Sequence, residues 1–244
     1  MTNLLVDTNS IGSRAFFTGV LTFFSMLEKV TDDVRPDYTL FAFDSRNNWR
    51  KGIYPEYKAN RKPKNDGEAL QKQLRVKYLA KLWYSLRDAG FNVLAVDGFE
   101  ADDLIASLAT PNDYVLTGDK DLLQLCDVAS VIYVPAKFAD RQTCDQQGCI
   151  GLTGYAPNQL ALYKALVGEK TDNIPGTRKI GPVTAAKLLP SNYTLLCEHP
   201  LVTADLGGFT LSYKLASLRY DVPVTWVKQQ GDLTLAKRKF RGGK

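Results

Sequence analysis

Short apolar runs alternate with longer segments of helical period along the first half of the chain. Asn3-Leu4-Leu5-Val6 reads as a short buried strand with Asp7 at its carboxyl end. Residues 16–30 predict a helix, because Phe17, Leu21, Phe24 and Leu27 recur at spacings of three and four. A second strand is expected over residues 38–43, ending at Asp44, and a long helix over residues 66–89. A third strand, residues 92–96, runs into Gly98-Phe99-Glu100-Ala101-Asp102-Asp103-Leu104, after which residues 104–109 read as a helix. Tyr114-Val115-Leu116 makes a fourth strand, followed by Thr117-Gly118-Asp119-Lys120-Asp121, and residues 131–134 make a fifth. Strands alternating with helices predict a parallel sheet.

The polar positions that punctuate this pattern carry the chemistry. Parallel sheets bind ligands outside the carboxyl ends of their strands. Asp7, Asp44, the group Glu100, Asp102 and Asp103, and the pair Asp119 and Asp121 each follow a strand. A single Asp in such a place is ordinary turn chemistry, and a first-turn carboxylate also answers a helix dipole. Acids after every one of these strands would converge on one rim, where their mutual repulsion calls for cations. Oxygen-only ligands suit magnesium or manganese, and two such ions are the usual device for phosphodiester hydrolysis.

Charge changes the picture next. The 244 residues carry a net charge of +5, and the excess is local. Arg46, Arg50, Lys51, Lys58, Arg61, Lys62 and Lys64 face one acid, Glu56, directly after the second carboxylate strand. Such a stretch can hold a phosphate and offset charge in a transition state; otherwise it is a solvated loop. In the second half, a helix over residues 160–167 ends in Gly168-Glu169-Lys170-Thr171-Asp172-Asn173-Ile174-Pro175-Gly176. Another helix, residues 184–189, follows Lys179-Ile180-Gly181. This hairpin is either ordinary helical packing or a grip on a nucleic-acid backbone without base reading, and Glu169 and Asp172 could join the acidic rim. The tail Lys237-Arg238-Lys239-Phe240-Arg241-Gly242-Gly243-Lys244 is expected to be a disordered basic arm adding salt-sensitive DNA affinity.

The remaining composition narrows the class. A hydrophobic fraction of 45% supports a sizeable core. No apolar run has transmembrane length and the start has no signal-peptide layout, so a cytoplasmic protein, in a bacterium or a phage-infected host, without a membrane partner is expected. Cys126, Cys144, Cys149 and Cys197 form no paired metal spacing and read as free thiols. The single histidine, His199, lies in a loop-like stretch, which disfavours catalytic triads.

The ordered motifs resemble the 5′-nuclease (flap endonuclease) family, including stand-alone bacteriophage 5′-3′ exonucleases and the 5′-nuclease domain of bacterial DNA polymerase I. They are Leu5-Val6-Asp7, Phe43-Asp44, Tyr54-Pro55-Glu56-Tyr57-Lys58-Ala59-Asn60-Arg61, Glu100-Ala101-Asp102-Asp103, Thr117-Gly118-Asp119-Lys120-Asp121, and Thr171-Asp172-Asn173-Ile174-Pro175-Gly176 through Lys179-Ile180-Gly181-Pro182. The resemblance implies an α/β fold with a mostly parallel sheet flanked by helices (PIN-like), and a helix-hairpin-helix region after it. The expected divisions are a core over residues 1–150 with a basic arch at about 46–75, a helical DNA-binding region over 151–225 and a basic tail over 226–244.

It further implies that Asp7, Asp44, Glu100 and Asp102 surround one metal and Asp119, Asp121 and Asp172 a second, with Asp103 between. Lys58 and Arg61 would contact the scissile phosphate, Arg50 would bind DNA and Tyr57 would lie among them to stack on a base. Gly176, Lys179, Ile180, Gly181 and Thr184 would grip duplex, with a potassium ion in the hairpin. Two positions depart from the family pattern. Glu169 stands where aspartate is usual, so its longer side chain would reach the second metal through water or weakly. Lys179 stands where a second glycine is common and would carry strain if that position has positive φ.

The implied activity is that of a magnesium- or manganese-dependent 5′-3′ exonuclease and flap endonuclease acting as a monomer, with a polymerase as a possible partner. Its substrate would be DNA with a free 5′ end or flap, cut by metal-activated water to leave 5′-phosphates. A PIN-type ribonuclease and a non-catalytic structure-specific DNA-binding protein are the alternatives.

Overall fold

A computed structural model describes residues 1–19 and 21–242. Val20, inside the helix expected over residues 16–30, lies outside the described residues, as do Gly243 and Lys244 of the expected basic tail.

Strand β1 (Asn3–Asp7) is buried along its whole length. Its apolar residues alternate between two cores, as successive strand side chains must. Leu4 and Val6 pack with Phe23, Phe24, Leu27, Phe41 and Leu82, whereas Leu5 packs with Leu40, Leu104, Val115 and Leu123. A strand covered on both faces needs a continuous apolar run rather than alternation. The neighbours of β1 are β2 (Tyr38–Ala42) and β4 (Tyr114–Thr117), both parallel to it. With β3 (Asn92–Leu94), β5 (Ser130–Tyr133) and β6 (Gln142–Cys144) the sheet has six strands in the order β3-β2-β1-β4-β5-β6. Only β6, an edge strand absent from the sequence reading, is antiparallel among them.

The helix expected over residues 16–30 is two helices. They are α1 (Thr8–Thr18) and α2 (Thr22–Val34), broken at Gly19, whose φ of +140° no helix accommodates. Apolar spacing continues across that break, so periodicity could not reveal it. The long helix α4 (Asp66–Arg87) follows the short α3 (Trp49–Ile53). Asn65 Oδ1 accepts from the Glu68 amide at 2.9 Å and Glu68 Oε2 accepts from the Lys64 amide at 2.8 Å, a reciprocal cap. Only the later half of α4 is fastened: Tyr78, Leu82 and Leu86 enter the core while Leu70, Leu74 and Val76 remain exposed.

After α5 (Ala101–Leu108) and α6 (Gln146–Thr153), the chain becomes helical. Helices α7 (Pro157–Val167), α8 (Pro182–Leu188), α9 (Tyr193–Glu198), α10 (Pro200–Thr203) and α11 (Leu206–Ala216) enclose Leu162, Leu166, Ile180, Leu188, Leu196 and Phe209. The tail forms a helix, α12 (Leu233–Gly242). Phe240, 2% exposed, sits 5.4 Å from the rings of both Phe24 and Tyr78, and Lys237 pairs with Glu28 at 2.7 Å. The expected disordered arm is thus docked on the core, because its apolar residues share one helical face. All four cysteines are free, and no helix among the described residues is long and apolar enough to cross a membrane.

Candidate active site

The carboxyl edge of the parallel strands carries one cleft of about 330 Å³. Asp7, Asp44, Glu100, Asp102 and Asp119 line it, together with Lys58, Arg61, Arg14 and Arg75. Strand order explains the convergence. The chain leaves β1 toward β2 on one side and reaches β4 on the other, and open α/β sheets form their crevice at such a reversal.

Asp7 is the last residue of β1 and 3% exposed. One oxygen caps α1 by accepting from the Ser10 amide at 3.0 Å, and the other accepts from Thr117 Oγ1 at 2.7 Å. The same threonine oxygen accepts from the Asp119 amide at 2.9 Å, tying β1 to the turn after β4. Asp44 accepts from the Ala101 amide at 2.9 Å and from Asn9 Nδ2 at 2.5 Å, which locks the loop after β2 to the start of α5.

Burial, the largest effect, pushes the Asp7 carboxyl up to about 7, with the negative charges of Asp119 and Asp44 adding to it. Asp44 is also raised, first by burial, with Glu100 adding to it. Asp102 is raised well above the carboxylate range by burial and then by repulsion from Asp7, Asp119, Asp44 and Glu100. No lysine or arginine forms an ion pair with Asp7, Asp44, Asp102 or Asp119 among the described residues. These hard oxygen donors, crowded and without a direct ion pair, fit divalent cations.

Glu100 differs. Burial alone would raise it, but Lys58 at 2.5 Å and Arg50 at 3.1 Å outweigh that and lower it. Asp121, Glu169 and Asp172 form a second acidic group, with one oxygen of each within 4.8 Å of the others. Its charges are already met: Lys164 bridges Asp121 and Glu169, while Arg61 pairs with Asp172 and Lys58 Nζ lies 3.6 Å from it.

The segment carrying Lys58 and Arg61 is pinned to the hairpin that carries Asp172. The Lys58 amide donates to Asp172 O at 2.9 Å, Asn60 Nδ2 to Lys170 O at 2.9 Å, and Asn173 Nδ2 to Glu56 O at 2.8 Å. Lys58 itself has a left-handed backbone, φ +56°, a conformation uncommon for a residue with a Cβ. In the hairpin, Glu169 and Ile174 exchange backbone hydrogen bonds of 2.9 Å. Gly168 and Gly176 pack so closely that a Cβ on Gly176 would lie 2.6 Å from the Gly168 nitrogen.

Several expected roles do not survive the geometry. Asp103 does not face the cleft: fully buried, it gives both oxygens to the Arg50 guanidinium at 2.7 and 2.8 Å and also accepts from Trp49 Nε1. Arg50 is 3% exposed and also donates to the carbonyls of Leu215 and Ser217, so it is a strut between α3 and the end of α11 rather than a DNA contact. Tyr57 is buried with its hydroxyl donating toward Glu100 at 3.2 Å and Asp172 at 3.3 Å, which leaves no ring face for a base. The Gly176 amide donates to Ser212 Oγ at 2.9 Å and the Ile180 amide to Thr177 O at 3.2 Å, so both amides already have partners within the chain. Lys179 and Gly181 are exposed and Thr184 half-buried. Lys179 has positive φ, +63°, which meets the condition under which a lysine there carries strain.

Sequence reasoning missed Arg14, Arg75 and Lys164. Arg14, on α1, donates to Gly118 O and Pro135 O at 2.5 Å, two turns along the helix that Asp7 caps. That spacing was available as a signal. Nothing in the sequence marks Arg75 or Lys164, which sit inside helical stretches of ordinary composition.

The sequence family described as "5′-3′ exonuclease, N-terminal resolvase-like domain" matches residues 2–150. DNA polymerase I of Mycobacterium tuberculosis (strain ATCC 25618 / H37Rv) is 36% identical over 242 residues, covering 89% of this chain and 26% of the polymerase. The chain therefore spans about a quarter of the length of such relatives. A 5′-3′ exonuclease of Mycoplasma pneumoniae is 31% identical over 218 residues, covering 79% of this chain and 72% of that protein. The zinc-bound 5′-exonuclease of T5 has a similar fold, with a TM-score of 0.79 at 17% identity, covering 99% of this chain and 98% of that one.

Proposed function

Because this chain belongs to the 5′-3′ exonuclease family, we propose that its acid-lined cleft hydrolyses DNA phosphodiester bonds next to a free 5′ end or 5′ flap. The observation that carries this reading is the set Asp7, Asp44, Asp102 and Asp119, without a direct ion pair among the described residues, sharing one cleft with Lys58 and Arg61. Asp7, Asp44, Glu100, Asp102 and Asp119 would hold one or more divalent ions, and carboxylate oxygen alone favours magnesium or manganese. When bound, such ions supply a more acidic water and neutralise charge on the scissile phosphate.

The chain's own residues do the rest. Thr117 and the Ser10 amide fix the direction of both Asp7 oxygens, and Asn9 and the Ala101 amide do so for Asp44. The cleft therefore needs little reorganisation to receive cations. Lys58, held charged by Glu100 and Asp172 against the opposing effect of burial, brings a cation to the phosphate side of the cleft. Arg61, half exposed, can exchange its Asp172 partner for a phosphate oxygen. Lys179 at the exposed hairpin tip supplies a duplex contact away from the cut, positioning the backbone without reading bases. No histidine lines the cleft, and its raised carboxyls, Asp7, Asp44 and Asp102, are the groups that would hold the cations.

The zinc-bound relative and a T5 flap endonuclease complexed with DNA and metal ions support this reading by fold. The polymerase relatives make a partner polymerase a fitting context. The test is cleavage of a 5′-flapped duplex, a nicked duplex, a single strand and an RNA duplex, with magnesium and with chelator. We expect cleavage of the 5′-ended DNA substrates in magnesium alone, leaving 5′-phosphates. Cleavage confined to RNA, or binding with no cleavage, would refute the assignment.

A further inference from the structure

The two acidic groups at the sheet edge are neutralised differently: Arg61 and Lys58 meet Asp172 in the second, and Lys164 alone bridges its other two members, Asp121 and Glu169. Lys164 lies in the last turn of α7, one helical turn before Gly168. Its ammonium pairs with Asp121 Oδ1 and lies 2.6 Å from Glu169 Oε2. The side chain is 18% exposed, so the pairing is largely shielded from water. Glu169 Oε2 is buried and, despite that short approach, accepts no properly directed hydrogen bond. Its one charged partner is that ammonium, and it belongs to a group in which one oxygen each of Asp121, Glu169 and Asp172 lie within 4.8 Å of one another, the spacing of ligands around a single cation.

We propose that Lys164 is a built-in counter-ion occupying the second cation position, and that a divalent ion loads there only by displacing it. This deepens the reading of the cleft as a metal centre and rests on it. The physical argument is competition. Both an ammonium and a divalent ion are attracted to the same oxygens of Asp121 and Glu169, and they cannot share the space between them. In the first group Lys58 and Arg50 pair with Glu100 at the edge, whereas Asp7, Asp44, Asp102 and Asp119 carry no ion pair among the described residues, so no ammonium sits between their oxygens. The consequence is ordered loading: the first group fills at low divalent concentration, the second at higher concentration. Displacement is physically reachable, because a lysine has a flexible stem and a single point charge rather than a planar fork locked by several bonds. Glu169 makes the arrangement possible, since its extra methylene lets the carboxylate meet Lys164 from the loop that follows α7.

The test is Mn²⁺ titration of the full chain, read by loss of the free-ion electron paramagnetic signal and by calorimetry. Wild type is compared with Lys164→Met and Lys164→Gln. Wild type should show a tight and a weaker class of site. Both variants should keep the tight class unchanged, which also reports an intact fold, and bind the weaker ion at least about tenfold more tightly. A weaker class unchanged or weakened in both variants, with the tight class intact, overturns this inference alone. Loss of the tight class in both would make Lys164 a strut of the fold and overturn it as well. A wild type that binds no Mn²⁺ overturns the reading of the cleft and this inference with it. A second readout is melting: without divalent ions the variants should melt below wild type, and saturating Mn²⁺ should raise their melting temperatures by more than it raises that of wild type.

Discussion

Asp102 and Asp103 are adjacent on α5, and only one of them has a counter-charge in the chain. Side chains one apart on a helix point about 100° from each other. Asp103 turns inward to Arg50, whereas Asp102 turns into the cleft among other acids. Removing one member of a buried, hydrogen-bonded ion pair typically costs about 3–5 kcal/mol. Asp103→Ala should therefore lower the melting temperature strongly, while Asp102→Asn should raise that of the cation-free protein by relieving repulsion, and abolish hydrolysis. Differential scanning calorimetry with chelator distinguishes the two. Equal destabilisation by both would mean that Asp102 is structural too.

Asp7 adds a pH dependence. Its folded pKa, about 7, lies above the ordinary 3.8. Between those values the cation-free fold holds a proton that the unfolded chain releases, so this contribution to stability is full below the lower value and lost as pH rises through the higher. Divalent ions bind the deprotonated form, so the part of their affinity that depends on Asp7 should rise with pH up to about 7. Melting curves with and without Mn²⁺ from about pH 5 to about pH 8 measure both effects, and Asp7→Asn should flatten them. The charges of Asp7, Asp44, Glu100 and Asp102 were legible from their places after strands. The inward turns of Arg50, Tyr57 and Asp103 were not, because a sequence records charge and spacing but not which face of a short helix meets the core.

Among the elements, the parallel strands were easiest to read, since burial on both faces writes a continuous apolar run. Helix boundaries were harder. The break at Gly19 hides within an unbroken apolar period, and β6 is too short and polar to announce itself. The basic tail shows charge overriding pattern. Leu233, Ala236 and Phe240 recur at three and four, and the latter two are buried, but seven intervening and flanking cations and glycines suggested disorder. Docking of α12 makes Phe240 part of the core beneath α4. Phe240→Ala should cost about 3–5 kcal/mol, as large-to-small changes at buried aromatics do. Urea denaturation measures it; a loss below about 1 kcal/mol would mean that the tail contributes little to the fold.

At the scale of the whole molecule, the sheet order gathers residues far apart in sequence. Asp7 and Thr117 are joined by one hydrogen bond across the place where the strand order reverses. Lys58 and Asp172, 114 positions apart by numbering, are joined by a backbone bond and a 3.6 Å charge contact. The acidic rim and the basic segment facing it are thus products of topology. Alternation of strands and helices made the rim foreseeable; Lys164 inside the second acidic group was not, since only the return of the hairpin onto α7 places it there.

The most direct test is single-turnover cleavage of a 5′-flapped duplex at increasing magnesium, comparing wild type with Asp102→Asn. Wild type should show no cleavage in chelator and a rate that rises to saturation with magnesium. The variant should bind the same substrate and leave it uncut at every concentration. Cleavage by wild type in chelator, or by the variant at the wild-type rate, would contradict a cation-dependent centre at this sheet edge.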